Sequence, residues 1–357
     1  MIWIIIVITL IVLVAVLCLI PGFTLSIKDK KGHTLEGSIA SLEKVNLGGQ
    51  EQWVLIRGAD ITKPVILLLH GGPGTSDMIL FRRHCSVLEK HFVLVFWDQR
   101  GAGKSYSAIN PNSSMTINQF VSDACELTKI LCHRFNQKKI FLVGHSWGSA
   151  LGVFCAQQNP DLYYAYIGIG QVANMYENEK LTYQFTLEQA KKANDKHSVK
   201  TLEKIGKPPY TGKWQKKFMT QRRLLGKYGG EMYCCSKGAF PLVFRNLICS
   251  TEYTLFDKIY FFRGILSSVR LVWPEIMTIN LMEQATSLKV PVFFILGRHD
   301  FEAPSALAEQ YFNSLEAPYK ELIWFENSAH LPNIEENDKF NDLMINKVLA
   351  MVNLNQL

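Results

Sequence analysis

The chain has 357 residues, 48% of them apolar and 19% charged, with a formal net charge of +7. That composition is globular and rich enough in Val, Ile, Leu and Phe to bury a large core, and it excludes long disordered stretches. Residues 172–285 hold 18 Lys plus Arg against 10 Asp plus Glu, so the rest of the chain is close to neutral. A basic segment can favour anionic lipids or substrates, but these cations are scattered, which reads as a solvated surface of long Lys side chains. No nucleic-acid motif accompanies them, and nucleic acid is not an expected partner. The eight cysteines (18, 85, 125, 132, 155, 234, 235 and 249) lack the paired spacing of a zinc site. They read as small buried apolar residues of a reduced protein, with no metal and no disulfide framework.

Residues 1–20 read MIWIIIVITLIVLVAVLCLI, without a charge, Gly or Pro. As a helix they would span roughly 30 Å, the thickness of a bilayer core. Pro21 and Gly22 would stop that helix. A secretory signal would need a basic start and an A-x-A site, and neither is there. The expectation is an uncleaved single-pass N-terminal transmembrane anchor over 1–20, with the membrane as a partner. Lys28, Lys30 and Lys31 follow the run and nothing basic precedes it. The positive-inside tendency then places the rest of the chain in the cytoplasm, with an exported domain on the same anchor as the alternative.

Beyond the anchor, short apolar runs alternate with amphipathic ones. The runs 65–69 (VILLL), 92–97 (FVLVFW), 140–143 (IFLV), 164–169 (YAYIGI), 290–296 (VPVFFIL) and 322–325 (LIWF) end at Gly or polar residues. Runs this short and apolar on both faces predict strands of a buried parallel sheet. Residues 52–56 would pair as an antiparallel edge strand. Between them, 117–135 carries apolar residues three and four apart, which predicts a helix, and 340–352 predicts a closing helix. The pattern is that of an α/β sheet with helices on both faces.

Residues 172–285 break this rhythm. They are rich in Lys, Tyr and Gln, have helical stretches at 181–194 and 215–228, and are punctuated by Pro208-Pro209 and Gly229-Gly230. More than a hundred residues is too long for a loop. The expected organisation is an anchor at 1–20, a core from 21–171 and 286–357, and an inserted helical cap over 172–285 that shapes a pocket and excludes water.

The strongest motif is Gly144-His145-Ser146-Trp147-Gly148, between the strand IFLV and a helix-like stretch. This is G-x-S-x-G in the strand–turn–helix context of a nucleophile elbow, which is the mark of an α/β-hydrolase fold. The helix N-terminus adds positive potential where an oxyanion would develop. His70-Gly71-Gly72-Pro73-Gly74 follows the strand VILLL. Glycine-rich backbone there can present bare N–H groups, so the oxyanion hole is expected from the amides of Gly72 and Trp147. Attack by a hydroxyl also needs a base and a carboxylate, in the chain order Ser, acid, His. Gly297-Arg298-His299-Asp300 and Ser328-Ala329-His330 follow the last two strands, at the carboxyl ends where sites of open sheets gather. The expected triad is Ser146, Asp300 and His330, with Glu302 as the rival acid and His299 the poorer base. Residues 98–105 (DQRGAGKS) faintly evoke a phosphate loop, but position 98 would have to be Gly and is Asp98. A structural turn whose Asp and Arg brace the sheet edge fits better.

Taken together, HGGPG, DQRGAGKS and GHSWGS, with GRHD and SAH at the ends of later strands, resemble the proline iminopeptidase branch of the α/β-hydrolases. The similarity spans about residues 55–340. The resemblance implies a serine hydrolase that acts through an acyl-enzyme on a small peptide, without metal or cofactor. It also implies cap carboxylates that bind the free amine of the substrate, whose counterparts here would be Glu177, Glu179 and Glu231. The same triad also serves a membrane-associated carboxylesterase or lipase-like hydrolase acting on an ester. A non-catalytic binding protein on the same scaffold is a third reading, against which the complete triad argues.

Overall fold

The computed structural model describes Trp3 and residues 20–108, 114–233 and 235–354. Among these residues one eight-stranded sheet forms the centre. Its strands are β1 (Ile39–Leu47), β2 (Gln50–Gly58), β3 (Val65–Leu69), β4 (Val93–Asp98), β5 (Ile140–His145), β6 (Tyr163–Ile169), β7 (Val292–Gly297) and β8 (Lys320–Phe325). Their spatial order is β1-β2-β4-β3-β5-β6-β7-β8. From β4 to β8 every pairing is parallel, while β2 runs antiparallel to both β1 and β4.

The continuous apolar runs have a direct cause, since side chains alternate between two faces and both faces are covered. Val93, Val95 and Trp97 enter one core, with Phe120, Leu127 and Leu131 of helix α2 (Ile117–Arg134) and Leu151 and Val153 of α3 (Trp147–Gln158). Leu94 and Phe96 enter the other, with Met78 and Phe81 of α1 (Met78–His84) and Phe340 and Met344 near the C-terminus. The expected strands are thus present with ends shifted by a residue or two. Residues 52–56 lie in β2, which is antiparallel as expected but internal. The edge is β1, whose mixed sequence IASLEKVNL is mostly half-exposed and so carries no clear apolar period. The expected closing helix is broken into a helix at Asn337–Leu343, a π-turn at Met344–Val348 and a short helix at Met351–Leu354.

Between β6 and β7 the chain leaves the sheet for α4 (Met175–Lys192), α5 (Lys196–Ile205), α6 (Trp214–Lys227), α7 (Phe240–Cys249), α8 (Leu255–Ile276) and α9 (Leu281–Gln284). The loop after β4 fastens this helical insertion to the sheet. Asp98 accepts hydrogen bonds from Tyr253 Oη (2.7 Å) and from the Lys104 amide (2.7 Å), and Lys104 Nζ lies 2.6 Å from Asp257 of α8. Arg100 binds Asp123 of α2 through Nε at 2.7 Å and Nη2 at 3.0 Å, and Gln52 of β2 donates to the same carboxylate. These side chains are occupied by structural bonds, as the bracing role requires.

The transmembrane anchor is corrected. Among the described residues no helix is long and apolar enough to cross a membrane. The longest helix of the insertion, α8, carries Asp257, Lys258, Arg263, Arg270 and Glu275, charges that a bilayer core does not accept. Residues 1, 2 and 4–19, on which the expectation rested, lie outside the described residues. The single-pass location and the orientation derived from it are withdrawn with the anchor.

Replacing Arg100 by Leu leaves the Asp123 carboxylate buried without its counter-charge. Loss of one partner of a buried pair costs about 3–5 kcal/mol. Denaturant unfolding of Arg100→Leu is expected to show a loss of that size, against less than about 1 kcal/mol for Lys44→Ala in the exposed Lys44–Glu51 pair.

Candidate active site

Ser146 joins the end of β5 to the start of α3. Its backbone is at φ 53° and ψ −121°, a conformation rare for a residue with a Cβ. It is held there from several sides. The Ser146 amide donates to the Ile169 carbonyl at 2.9 Å, and its carbonyl accepts from the Ser149 amide at 2.8 Å. The flanking glycines are dictated by closeness, because a Cβ on Gly144 would lie 2.4 Å from the Gly148 oxygen and one on Gly148 2.1 Å from the Leu69 oxygen. The turn therefore packs directly on the end of β3. The first amides of α3, Trp147 among them, have no intrahelical acceptor.

The loop after β3 lies opposite. Gly72 has φ +116°, which a side chain would strain. Gly72, Ser146 and Trp147 line one narrow cleft with Met175, Phe218 and Trp273. A buried pair with no motif to mark it in the sequence holds the loop against the elbow. Asp77 Oδ2 accepts from His145 Nδ1 at 2.8 Å and from the Gly71 amide at 3.1 Å. Burial works against the Asp77 carboxylate, but the charge and hydrogen bond of His145 outweigh it and hold Asp77 below the usual carboxylate range. His70 is pushed down by burial. The Gln99 amide donates to His70 Nε2 at 3.1 Å, so the Nδ1–H of the neutral ring donates to the Gly71 oxygen at 2.7 Å.

Asp300 and His330 meet across the ends of β7 and β8. His330 Nδ1 donates to Asp300 Oδ2 at 2.8 Å, and Asp300 Oδ1 accepts from the amides of Glu302 and Ala303, both at 2.9 Å. Burial pushes the His330 imidazole down. The charge and hydrogen bond of Asp300 push it up, with help from Glu302 and Glu231, and the outcome is about 9. The His330 ring centroid lies 5.0 Å from that of His145, whose Nε2 is 3.2 Å from the His330 carbonyl oxygen.

The insertion brings further charge to the same place. The amides of His330 and Phe301 donate to the carbonyls of Glu231 and Gly230, each at 3.0 Å, which ties the 230–231 turn to both loops. The Glu231 side chain accepts from the Ala239 amide at 3.1 Å. Burial, reinforced by Glu302, pushes its carboxyl up to about 7. Glu179 of α4 is buried against Arg222 of α6, and Arg222 Nε lies 3.8 Å from Glu302. Glu179 and Glu231 thus sit in this cluster, whereas Glu177 faces solvent and pairs with Lys180 at 2.8 Å. Glu302, the rival acid, lines the Ser146 cleft together with Arg222. Nothing in the sequence distinguishes Arg222 from the many other cations of the insertion. Among the described residues no group of His, Cys, Asp or Glu is arranged to hold a metal ion.

Residues 64–187 match the family model of the alpha/beta hydrolase fold. A probable aminopeptidase, YbaC, of Bacillus subtilis (strain 168) is 37% identical over 312 residues, which cover 85% of this chain and 94% of that protein. A proline iminopeptidase of Heyndrickxia coagulans is 24% identical over 283 residues, 77% of this chain and 87% of the relative. Among solved structures, a proline iminopeptidase-related protein of Thermus thermophilus superimposes with a TM-score of 0.59 at 17% identity, over 88% of this chain and 99% of that one. The chain belongs to the α/β-hydrolases, as a proline iminopeptidase-like member. It is a hydrolase of that type.

Replacing Asp300 by Asn removes the largest influence that raises His330 and leaves the burial that lowers it. An NMR titration of the imidazole is expected to move from about 9 towards or below the ordinary histidine value of about 6.5. An unmoved titration would show that the charge holding the ring protonated lies elsewhere.

Proposed function

We propose that this hydrolase is an aminopeptidase that releases the N-terminal residue of small peptides through an acyl-enzyme. In this reading 21–171 and 286–357 form the catalytic core and 172–285 the cap. The observation that carries it is the carboxylate cluster at the Ser146 cleft: Glu302 in the cleft wall, Glu231 near enough to feel its charge, and Arg222 binding Glu179 and lying 3.8 Å from Glu302. Asp300 balances the protonated His330, and Glu179, Glu302 and the partly ionised Glu231 exceed the one Arg222 guanidinium, so negative charge is left uncompensated. A substrate ammonium group would supply the missing cation, and an ester without an amine would not. The names of the relatives support the same class.

The proposed steps are those of a serine nucleophile with a histidine base and an orienting carboxylate. Neutral His330 takes the proton of the Ser146 hydroxyl, and Oγ attacks the carbonyl carbon of the scissile amide. The amides of Gly72 and Trp147 hold the oxyanion. The imidazolium, steadied by Asp300, gives its proton to the leaving nitrogen, and the C–N bond breaks. Water, deprotonated by His330, then attacks the acyl-enzyme and releases the amino acid and the Ser146 hydroxyl. A His330 pKa of about 9 keeps the free enzyme mostly protonated at neutral pH. An ammonium bound at Glu231 and Glu302 offsets two of the charges that hold the proton, so the substrate itself lowers the imidazole pKa and frees the base.

Purified protein and its Ser146→Ala variant are compared on prolyl and other aminoacyl arylamides and on short-chain nitrophenyl esters. Arylamide hydrolysis that disappears in the variant is expected. Turnover of esters alone would make it an esterase, and activity unchanged in the variant would remove Ser146 from the mechanism. Glu302→Gln is expected to lower the ratio of arylamide to ester kcat/KM by about 100-fold, mainly through KM, since one charge-assisted hydrogen bond is worth about 1.5–3 kcal/mol. The acid limb of the pH profile of kcat/KM should move to lower pH in this variant, because one of the carboxylates that raise His330 is gone.

A further inference from the structure

Arg222 and Glu302 line a second, larger cavity as well as the Ser146 cleft. Its volume is about 780 Å³, the range of small-molecule pockets rather than of a groove for a folded protein. The walls are apolar and come from α6, α7 and α8, with Met219, Phe240, Val243, Phe261, Phe262 and Leu266 among them. Glu231 and Glu302 lie on its lining, and so do Lys216, Arg223 and Lys237. Lys216 and Arg223 are seven residues apart on α6, hence on one face of that helix. All three cations are exposed, and among the described residues none of them forms an ion pair. The cavity thus carries acidic groups on the side where it shares Arg222 and Glu302 with the cleft, and free cations elsewhere on an apolar wall.

We propose that this cavity receives the leaving part of the substrate and selects short peptides with a free C-terminal carboxylate. The inference rests on the aminopeptidase reading and adds the second end of the substrate to it. With the ammonium group at Glu231 and Glu302, the chain beyond the scissile bond enters the larger cavity. The side chain of the next residue packs on the phenylalanine-rich wall, and the carboxylate meets Lys216, Arg223 and Lys237. A short zwitterionic peptide matches this charge order end to end. A blocked or much longer chain has no anion to offer there.

The test compares peptides that differ only at the C-terminus, Pro-Leu against Pro-Leu-amide and Pro-Leu-Phe against its amide, with release of proline followed in full-length protein. The free acids are expected to have kcat/KM about fivefold higher at low salt, with the preference shrinking as ionic strength rises. In Lys216→Glu/Lys237→Glu the ratio of acid to amide should fall to one or below, and in the milder Arg223→Gln it should fall part of the way. Equal turnover of acid and amide by the native protein overturns the inference while leaving the aminopeptidase reading intact, as does a preference that survives charge reversal. Absence of any Ser146-dependent proline release from peptides or arylamides overturns both.

Discussion

The backbone of Ser146 sits at a positive φ that a serine does not adopt unaided, and much of the surrounding structure answers to that one constraint. The turn exists because Gly144 and Gly148 let α3 close onto the end of β3, where any side chain would overlap the Leu69 carbonyl. Closing there puts the N-terminus of α3 and the loop of Gly72 on either side of the serine. The Asp77–His145 pair then fixes the same loop to the elbow from behind. A shift in the sheet register at β3 would move the elbow, the loop and the helix terminus together, which is why the parallel pairing of β3 with β5 matters to the chemistry.

Electrostatics supply a second layer. His330 is deeply buried, and burial alone would keep it neutral. Three carboxylates, Asp300 first among them, reverse that. Only Asp300 is bonded to the ring, so the other two act through space and can be offset by a bound cation. The neighbouring Glu231 shows the converse, a carboxyl raised to about 7 because it shares a buried site with Glu302. The site is therefore poised to respond to a bound positive charge. Arg222 tempers the cluster without neutralising it, and it lines both the cleft and the larger apolar space.

The helical insertion is bound to the rest of the protein at two distinct levels. Asp98, Lys104, Tyr253 and Asp257 fasten α8 and its leading turn to the end of β4. Backbone bonds from Phe301 and His330 to residues 230 and 231 fasten the turn that carries Glu231. Those bonds are short and local to the site, so the position of Glu231 is set by the same loops that hold Asp300 and His330.

Much of the sheet was legible because a strand covered on both faces must be apolar throughout, and such runs stand out in a sequence. The edge strand β1 was not, since its half-exposed face admits Glu43 and Lys44. The anchor expected from the apolar run at 1–20 finds no counterpart among the described residues, where no helix is long and apolar enough to cross a membrane. By itself the sequence determined the local devices: the elbow around Ser146, the glycine loop at 71–74, and an acid and a histidine at the ends of the last two strands. Each depends on a few adjacent residues and the strand before them. Only the tertiary structure decided that Glu179, Arg222, Glu231 and Glu302 form one cluster and that Glu177 does not. Those residues lie on separate elements of similar composition, and neighbourhood across such distances in the chain comes from packing rather than from any local pattern.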